Sequence, residues 1–392
     1  MITVEEAKKL INANIRPLQP VTSELRAAFG HTLAADVYAP YDIPAFRQSS
    51  MDGYALIFGD RDLELSVIGE MAAGTAAQLT IRNGQSTRIF TGAPLPEGAD
   101  TVVMQEKVTR QGIKVVVDDL QLVKGANVRE RGAEVGAGAL AMPKGSLLGP
   151  AALGFLAGIG ITNVEVYPMP RVSLILTGKE LQQPGQALSF GQVYESNSYS
   201  LSAALKAEGI GELSIVEADD DLEILTTVLK SELEKNDVIL LTGGVSVGDY
   251  DFVIEASQRC GIQQIFHKVK QKPGKPLFFG MKEEKLIFGL PGNPSSVLNC
   301  YYNYVLPALK TLSRKDNSVK EIEAQLSHGY QKPAGLFQFL KGHYENGKAT
   351  ALHAQESFRL SSFANANCLI CLPENTQEFK TGDHVKVMLL PG

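Results

Sequence analysis

The feature that most constrains this chain is a glycine-bearing loop that directly follows a short apolar run. The run spans Val238 to Leu241, and the loop continues as TGGVSVGDYD from Thr242 to Asp251. Such a run predicts a buried parallel strand whose carboxyl end delivers the loop to the ligand-binding edge of an open α/β sheet. The loop offers backbone N–H groups, a hydroxyl and two carboxylates: Gly243, Gly244, Ser246, Asp249 and Asp251. The alternative is an ordinary tight turn between a strand and a helix.

A second loop of the same kind follows another apolar run, Leu286 to Leu290. Its sequence begins with Pro291, Gly292 and Asn293 and leads into a long helical pattern. Asn293 is placed to cap that helix, and Pro294 suits its first turn, where a missing N–H does no harm. The exposed amides of such a helix start suit a phosphate or an oxyanion. Two strand-end loops of this type favour a ligand site over two unrelated turns.

Lysines are concentrated between the two loops. If the chain is extended there, Lys268, Lys270 and Lys272 share one face, and a Pro-Gly turn then presents Lys275. A solvated, charged strand edge is the ordinary explanation of such a run. Because the run lies between two strand-end loops, we interpret it as the cationic wall of the same site.

Acidic residues also follow successive predicted strands. Glu180 follows the run ending at Leu176, and three aspartates, Asp219 to Asp221, follow the run ending near Val216. Carboxylates at one sheet edge suit Mg²⁺ bound together with a substrate phosphate. One of the three aspartates is expected to cap the helix that begins near Leu222.

Composition limits the class of protein without selecting it. At 392 residues, with 44% hydrophobic and 20% charged residues, the chain is typical of a folded protein of two to four domains. A net charge of −6 argues against a nucleic-acid partner, which usually needs a basic face. Since the sequence has neither an apolar run of membrane-spanning length nor a secretion signal, we expect a cytoplasmic location and no membrane partner.

Cysteine and histidine spacing predicts neither disulfides nor zinc. Cys368 and Cys371 have C-x-x-C spacing but lie in an apolar run, where a strand sends them to opposite faces, so we assign both to the core. The six histidines form no short-spaced ligand pair. A pattern at 136–141 matches the dinucleotide-binding fingerprint. It lacks a preceding strand and is followed by Met142 and Pro143, which stop a helix, so we do not interpret it as a dinucleotide-binding site.

The predicted secondary structure changes along the chain in successive segments. Helical patterns at 4–10 and 23–33 come first. Short β-rich runs follow at 63–68, 79–81, 101–105 and 114–118. A small-residue helix occupies 149–160. Strands and helices then alternate to about 314, predicting a parallel sheet with helices on both faces. After Arg314, short alternating runs predict a terminal barrel or sandwich.

Five motifs in one order resemble a known family. They are Ser50 to Tyr54 (SMDGY), Thr91 to Gly98 (TGAPLPEG), Thr242 to Asp251, Lys272 to Pro276 (KPGKP) and Gly289 to Pro294 (GLPGNP). Together they resemble the molybdopterin molybdenumtransferases, the MoeA and gephyrin E-domain family, from about Val4 to the C-terminus. The implied fold is multidomain α/β plus β. It has a doubly wound, molybdopterin-binding-like domain at 171–314, an inserted β-rich domain at 46–145, a C-terminal β-barrel-like domain at 315–392, and a linker and dimerisation domain at 1–45 and 146–170.

The resemblance also implies an activity. The family inserts molybdate into adenylylated molybdopterin with Mg²⁺-dependent release of AMP, at a site between the subunits of a homodimer. The residues implied as catalytic are Asp52, Thr91, Arg129, Glu180 and Asp251. Those implied to bind the substrate are Gly243, Gly244, Ser246, Lys272, Lys275, Pro291, Gly292, Asn293 and Ser357. Those implied to bind the metal are Glu180, Asp220 and Asp251, with Asp219 as a substitute for Asp220. The molybdopterin-adenylylating enzyme and apo-molybdoenzymes are the expected partners.

Two departures and two alternatives stay open. Glu134 stands where the family commonly has aspartate, and Lys341 where it commonly has arginine, so roles at these positions do not carry over. A molybdopterin-binding scaffold without turnover would keep the same loops. A molybdopterin adenylyltransferase would share only the α/β part of the chain. The Asp52-Gly53 pair is also typical of a hairpin turn.

Overall fold

A computed structural model describes residues 1–76, 78–244, 252–316 and 320–391 of the protein. The chain divides into two compact units. Unit 1 comprises Met1–Val21, Gly30–Thr32 and Val166–Gly392, and unit 2 comprises Thr22–Phe29 and Leu33–Glu165. A three-stranded sheet has the strand order Val21–Glu24, Asn163–Tyr167 and Thr32–Leu33.

The described residues form eight α-helices. They are Val4–Asn14 (α1), Pro150–Gly158 (α2), Asn197–Ala207 (α3), Leu222–Lys235 (α4), Phe252–Arg259 (α5), Pro294–Cys300 (α6), Leu306–Leu312 (α7) and Leu360–Ala364 (α8). A π-helical turn, Tyr301–Val305, joins α6 to α7, and 3₁₀ turns occur at Leu25–Ala27, Phe58–Asp60 and Gln105–Lys107. Within these described ranges, no helix combines the length and the apolar character needed to cross a bilayer.

Unit 1 is built on a six-stranded sheet. Its strands are Val172–Thr177 (β1), Leu213–Ala218 (β2), Val238–Thr242 (β3), Gln263–His267 (β4), Phe278–Lys282 (β5) and Lys285–Leu290 (β6), in the order β2-β1-β3-β6-β5-β4. The first four strands of that order are parallel, and β5 and β4 pair antiparallel at one edge. Residues of α4 and α5 cover one face, and residues of α3 and α6 cover the other. This is the doubly wound arrangement that the alternating pattern predicted.

The C-terminal part of unit 1 is a closed barrel. The strands Phe337–Glu345, Lys348–Ala351, Glu321–Leu326, His384–Leu389 and Cys368–Leu372 pair in that order, and the last pairs again with the first. Gln271–Lys272 adds a short strand to the outside of Phe337–Glu345. Two further pairs complete the unit: Tyr330–Gln331 with Glu378–Phe379, and Leu181–Gln182 with Val193–Tyr194. The predicted β-barrel-like C-terminal domain is therefore confirmed.

Unit 2 is β-rich, as predicted. Its six-stranded sheet has the order Thr101–Met104, Gly53–Leu56, Gln85–Ile89, Leu65–Met71, Lys114–Val117 and Val108–Gln111. Two-stranded pairs join Val128–Arg129 to Gln48–Ser49 and Leu140–Met142 to Val37–Tyr38. The residues at 79–81 form only an isolated bridge through Thr80, so the strand predicted there is wrong.

The helix predicted at 23–33 is also wrong. The segment contains the strand Val21–Glu24, a single 3₁₀ turn and the strand Thr32–Leu33. The amide of Leu25 donates to the carbonyl of Thr162, and the amide of Leu33 donates to the carbonyl of Ser146. Pairing with distant backbone groups thus replaces the local helical bonds that the apolar spacing favoured.

The cysteines behave as core residues. Cys368 and Cys371 lie in one barrel strand but pack in different hydrophobic clusters, because side chains three apart in a strand point to opposite faces. Burial raises the pKa of both thiols to about 12. Burial also raises the pKa of Cys300 to about 12. The C-x-x-C pair is therefore structural, as predicted.

A buried carboxylate joins α4 to the sheet. Glu232, only 5% exposed, accepts hydrogen bonds from the hydroxyl groups of Ser173 at 2.8 Å and Ser214 at 2.6 Å, and from the amide of Asn236 at 3.1 Å. Burial is the largest influence on its pKa and raises it, but the bonds from Ser214, Ser173 and Lys235 outweigh burial and lower the pKa overall.

We expect Glu232→Ala to reduce the free energy of unfolding by about 2–4 kcal/mol, because the hydroxyl groups left behind lose their acceptor in a buried site. The pKa of Glu232 is lower in the folded state, so its contribution is present above the unfolded pKa and is lost as pH falls through the folded pKa. Urea unfolding at neutral and acidic pH measures both effects. The exposed Glu234→Ala is the matched control, and equal midpoints for the two variants would contradict the prediction.

Candidate functional site

A cleft of about 570 Å³ opens at the carboxyl ends of β1, β3 and β6. Strand-end loops, the start of α3 and a C-terminal loop line it: Thr177, Glu180, Leu181, Val193, Tyr194, Ser196, Asn197, Thr242, Gly243, Gly244, Pro276, Pro291, Gly292, Asn293, Pro294 and Phe358. Six residues predicted for the site lie in this lining: Glu180, Gly243, Gly244, Pro291, Gly292 and Asn293. The cleft therefore occupies the edge where open α/β sheets bind ligands.

The glycines after β3 are required by their backbone. Gly243 and Gly244 have φ values of +87° and +62°, in the left-handed region. A methyl group on Gly243 would lie 2.5 Å from the carbonyl oxygen of Thr177. One on Gly292 would lie 3.8 Å from the Cα of Gly243, so the two predicted loops lie side by side in contact at the cleft. Ser246 and Asp251, also predicted for the site, lie outside the described residues.

The loop after β6 begins a helix as predicted, although the side chain of Asn293 does not cap it. Asn293 is the N-cap of α6 and Pro294 its first residue, but the Asn293 side chain makes no capping bond. Its amide donates instead to the hydroxyl of Ser357 at 2.9 Å, and the amide of Ser295 donates to the carbonyl of Ser357 at 3.1 Å. Ser357, predicted to bind substrate, is thereby fixed against the cleft loop.

Two of the predicted acids lie beside the end of β1. The Glu180 carboxylate folds back over Gly178, so that a methyl group there would lie 3.0 Å from both carboxylate oxygens. Asp220 accepts a bond from the amide of Lys179 at 3.3 Å. Asp221 caps α4 by accepting from the amides of Glu223 and Ile224, which confirms that one of the three aspartates is only a helix cap.

The lysine run is not continuously extended. Lys268 has a φ of +74°, which breaks the strand, so the expectation that it shares one extended face with Lys270 and Lys272 is wrong. Its amide and carbonyl bond to Leu277 and Ile2 instead. The lysines Lys272 and Lys275 are exposed. Neither contributes to the lining of the cleft, although the neighbouring Pro276 does.

Buried polar groups support the turn that carries these lysines. Gln271 donates to the carbonyl of Gly274 at 2.8 Å and accepts from the hydroxyl of Tyr304, and Asn299 donates to the carbonyl of Pro273 at 3.2 Å. A methyl group on Gly274 would lie 2.6 Å from the sulfur of Cys300. The turn is therefore seated on α6 and the π-helical turn that follows it.

Sequence reasoning missed the start of α3 as part of the cleft. Asn197 is 7% exposed, and its amide donates to the carbonyl of Gly292 at 2.9 Å. Glu195 accepts from both the amide and the hydroxyl of Ser198, so a carboxylate already occupies this helix start. The polar sequence Glu-Ser-Asn before an apolar helical pattern is the signal that could have located it. Thr177 and Phe358 were also missed.

Comparisons with known proteins cover nearly the whole chain. Three family descriptions match in order: MoeA N-terminal region (domain I and II) at residues 2–160, probable molybdopterin binding domain at 173–311, and MoeA C-terminal region (domain IV) at 323–390. The molybdopterin molybdenumtransferase of Staphylococcus epidermidis is 33% identical over 400 residues, covering 99% of this chain and 95% of the relative. The chain belongs to the MoeA family.

Other MoeA relatives agree in sequence and fold. The Staphylococcus aureus molybdopterin molybdenumtransferase is 31% identical over 406 residues, covering 99% of this chain and 95% of that protein. Two crystal structures of the molybdopterin biosynthesis MoeA protein from Pyrococcus horikoshii cover 100% of both chains, with TM-scores of 0.84 and 0.79 at 29% and 30% identity. The resemblance read from the five motifs is therefore confirmed.

Three residues that the MoeA resemblance implies lie in unit 2. Asp52 accepts from the amide of Thr91 at 2.7 Å and from its hydroxyl at 2.8 Å. Arg129 ends the strand paired with Gln48–Ser49, and the amide of Ser50 donates to the carbonyl of Asn127, so its segment runs beside that of Asp52. Gln48–Ser49 and Gly53–Leu56 belong to different sheets, which excludes a hairpin turn at Asp52-Gly53.

The bonds from Thr91 lower the pKa of Asp52 below its ordinary value. The backbone amide of Thr91 is the largest cause that lowers the pKa of Asp52, and the hydroxyl of Thr91 is the next. We expect Thr91→Val to raise this pKa only part of the way to its ordinary value, because the amide bond remains. NMR titration of aspartate carboxyl carbons, assigned with Asp52→Asn, measures the shift. An unchanged pKa would mean that the hydroxyl does not contribute.

Proposed function

We propose that this MoeA-family enzyme inserts molybdate into adenylylated molybdopterin, with Mg²⁺-dependent release of AMP. The observation that carries the proposal is the family match along the whole chain, together with a cleft built from the loops after β1, β3 and β6. Molybdenum insertion follows from the family. The requirement for Mg²⁺ and the release of AMP belong to the proposal.

The cleft offers different groups for each part of such a substrate. The loop at Gly243 and Gly244 allows close backbone approach, and the loop at Pro291 to Asn293 presents the start of a helix. Ser357 adds a hydroxyl fixed by Asn293. Lys272 and Lys275 supply exposed cationic side chains near Pro276, where they would neutralise a pyrophosphate or molybdate. These residues bind and orient the substrate, and no covalent nucleophile is required.

The acids at this edge have the donor chemistry that Mg²⁺ prefers. In the described part of the chain, no group of three or more His, Cys, Asp or Glu side chains is arranged to hold a metal. Mg²⁺ commonly binds through one or two carboxylates plus substrate phosphate. Glu180 and Asp220 provide two carboxylates, and Asp251 is proposed as a third. Bound there, Mg²⁺ would neutralise charge on the phosphate that leaves with AMP.

We further propose a homodimer with composite sites. Asp52, Thr91 and Arg129 lie in unit 2, whereas Glu180 and Ser357 lie in unit 1. A two-fold dimer would repeat each set twice and let one subunit's unit 2 complete the other's cleft. The recipients of the product would be apo-molybdoenzymes, and the supplier of the substrate a molybdopterin-adenylylating enzyme.

The alternative functions make different demands on the chain. An adenylyltransferase would need only the part matched at 173–311, so the matches at 2–160 and 323–390 favour metal insertion. A scaffold would retain binding without turnover.

Incubation with adenylylated molybdopterin, molybdate and Mg²⁺ separates metal insertion from a scaffold role. We expect AMP release that depends on molybdate, together with activation of an apo-molybdoenzyme. Substrate binding without either product would favour the scaffold. In a separate incubation with ATP and molybdopterin, formation of adenylylated molybdopterin would favour the adenylyltransferase.

A further inference from the structure

Lys341 is a buried cation in the C-terminal barrel. It lies in the strand Phe337–Glu345 and is 3% exposed. Its ammonium donates to the backbone carbonyls of Ala354 at 2.8 Å, Glu356 at 3.2 Å and Arg359 at 3.0 Å. An ammonium has three N–H donors, and this geometry gives each an acceptor. All three N–H donors of the side chain therefore bond to one segment, which we call the 354–359 loop.

The geometry accounts for lysine at this position. The three carbonyls belong to three different peptide groups of one short loop, and a tetrahedral ammonium can meet them in three directions. An arginine would present five donors in one plane and needs planar, paired acceptors. Further bonds fix the backbone of Lys341. The Gln355 side chain donates to the Lys341 carbonyl at 2.8 Å and accepts from the Lys341 amide at 3.0 Å.

The 354–359 loop contributes Phe358 to the cleft and bonds to the loop after β6 through Ser357. Phe358 lines the cleft and is 60% exposed. The hydroxyl of Ser357 accepts from Asn293, and its carbonyl accepts from the amide of Ser295. The loop therefore joins the barrel to the helix start after β6. The acceptors of Lys341, the carbonyls of Ala354, Glu356 and Arg359, lie before and after Ser357 and Phe358 in the sequence.

We propose that Lys341 is a positioning residue, which holds the 354–359 loop so that Phe358 lines the cleft and Ser357 stays bonded to Asn293 and Ser295. It acts through the loop and not as a direct ligand of the substrate anion. The kinetic consequence rests on the proposed function. The effect on the loop does not, because it is a property of the protein without substrate.

The experiment compares Lys341→Met and Lys341→Arg with the wild-type chain. Lys332→Met is the matched control, since Lys332 is 5% exposed and donates to a single carbonyl, that of Leu336, at 3.0 Å. Hydrogen exchange without substrate reports the amides of Ser295 and Arg359, whose acceptors are carbonyls of the loop. Calorimetry with adenylylated molybdopterin and steady-state kinetics with varied molybdate report binding and turnover.

We expect exchange at both amides to rise about tenfold or more in Lys341→Met, because one hydrogen bond from a charged donor is enough to shift an equilibrium tenfold. Affinity for adenylylated molybdopterin should fall about ten- to a hundredfold, as expected for a misplaced binding group. The KM for molybdate should stay within about twofold of wild type. Lys341→Arg should fail to restore either property, and Lys332→Met should change neither.

Two results would overturn the proposal. One is unchanged exchange at the loop amides in Lys341→Met, whatever the KM for molybdate. The other is full rescue by Lys341→Arg, which would mean that charge alone matters. If the wild-type chain releases no AMP, the exchange data still decide the role of Lys341 while the proposed function fails. If Lys341→Met does not fold, wild-type protein labelled with ¹⁵N at lysine Nζ decides it. An Nζ signal that molybdate leaves unchanged supports positioning, and a shifted signal overturns it.

Discussion

Glu180→Gln is expected to lower kcat by about 10²–10⁴-fold, the range found when a group acting on the reacting atoms is lost. The substitution keeps the size and the hydrogen-bonding ability of the side chain but removes the charge. Glu180 lines the cleft at the end of β1, with its carboxylate against Gly178. A neutral amide there can neither hold Mg²⁺ nor accept a proton from water, so turnover should fall much more than affinity.

The design separates this effect from a general loss of negative charge. Glu217→Gln is the control, because Glu217 is exposed on the neighbouring strand β2 and does not line the cleft. AMP release is followed across a Mg²⁺ titration, with substrate affinity measured by calorimetry. Glu180→Gln and Asp220→Asn should both need more Mg²⁺, and Glu217→Gln should match wild type. Near-normal AMP release by Glu180→Gln would remove Glu180 from the mechanism.

Elements with strong local signals were predictable. The run from Val238 to Leu241 is β3 within one residue, and the helix expected to begin near Leu222 is α4. In both cases apolar spacing, burial and chain direction agree. The segment at 23–33 was not predictable, since its strands depend on partners at Ser146 and Thr162 that lie more than a hundred residues away in the sequence.

The features of the candidate site also fall into those that the sequence predicts and those that it does not. Loops such as 291–293 were predictable because proline and glycine after an apolar run mark a strand end. The direction in which a long side chain points was not predictable. The Asn293 amide donates to Ser357, 64 residues away, and the Lys341 ammonium donates to three carbonyls 13 to 18 residues away. Neither direction is set by the residues next to the side chain, so no local pattern encodes it. The catalytic and metal-binding roles stay predictions.

Mixing two inactive variants tests whether the proposed site is shared between subunits. Asp52→Ala alters unit 2 and Glu180→Ala alters unit 1, so each homodimer should be inactive. After exchange of subunits at equal concentrations, half of the dimers are mixed, and each has one cleft with both carboxylates if these come from different chains. About a quarter of the wild-type activity should therefore return.

The control mixture combines Glu180→Ala with Asp220→Ala. Both residues lie in unit 1, where the Asp220 carboxylate accepts from the amide of Lys179, the neighbour of Glu180. Every cleft in a mixed dimer then lacks one carboxylate, so no activity should return. Activity is measured as AMP release, and subunit exchange is verified by native mass spectrometry of isotope-labelled chains. Exchange without recovery in the Asp52 and Glu180 mixture would show that both carboxylates act within one chain, and recovery in the control would mean that Glu180 and Asp220 serve different clefts.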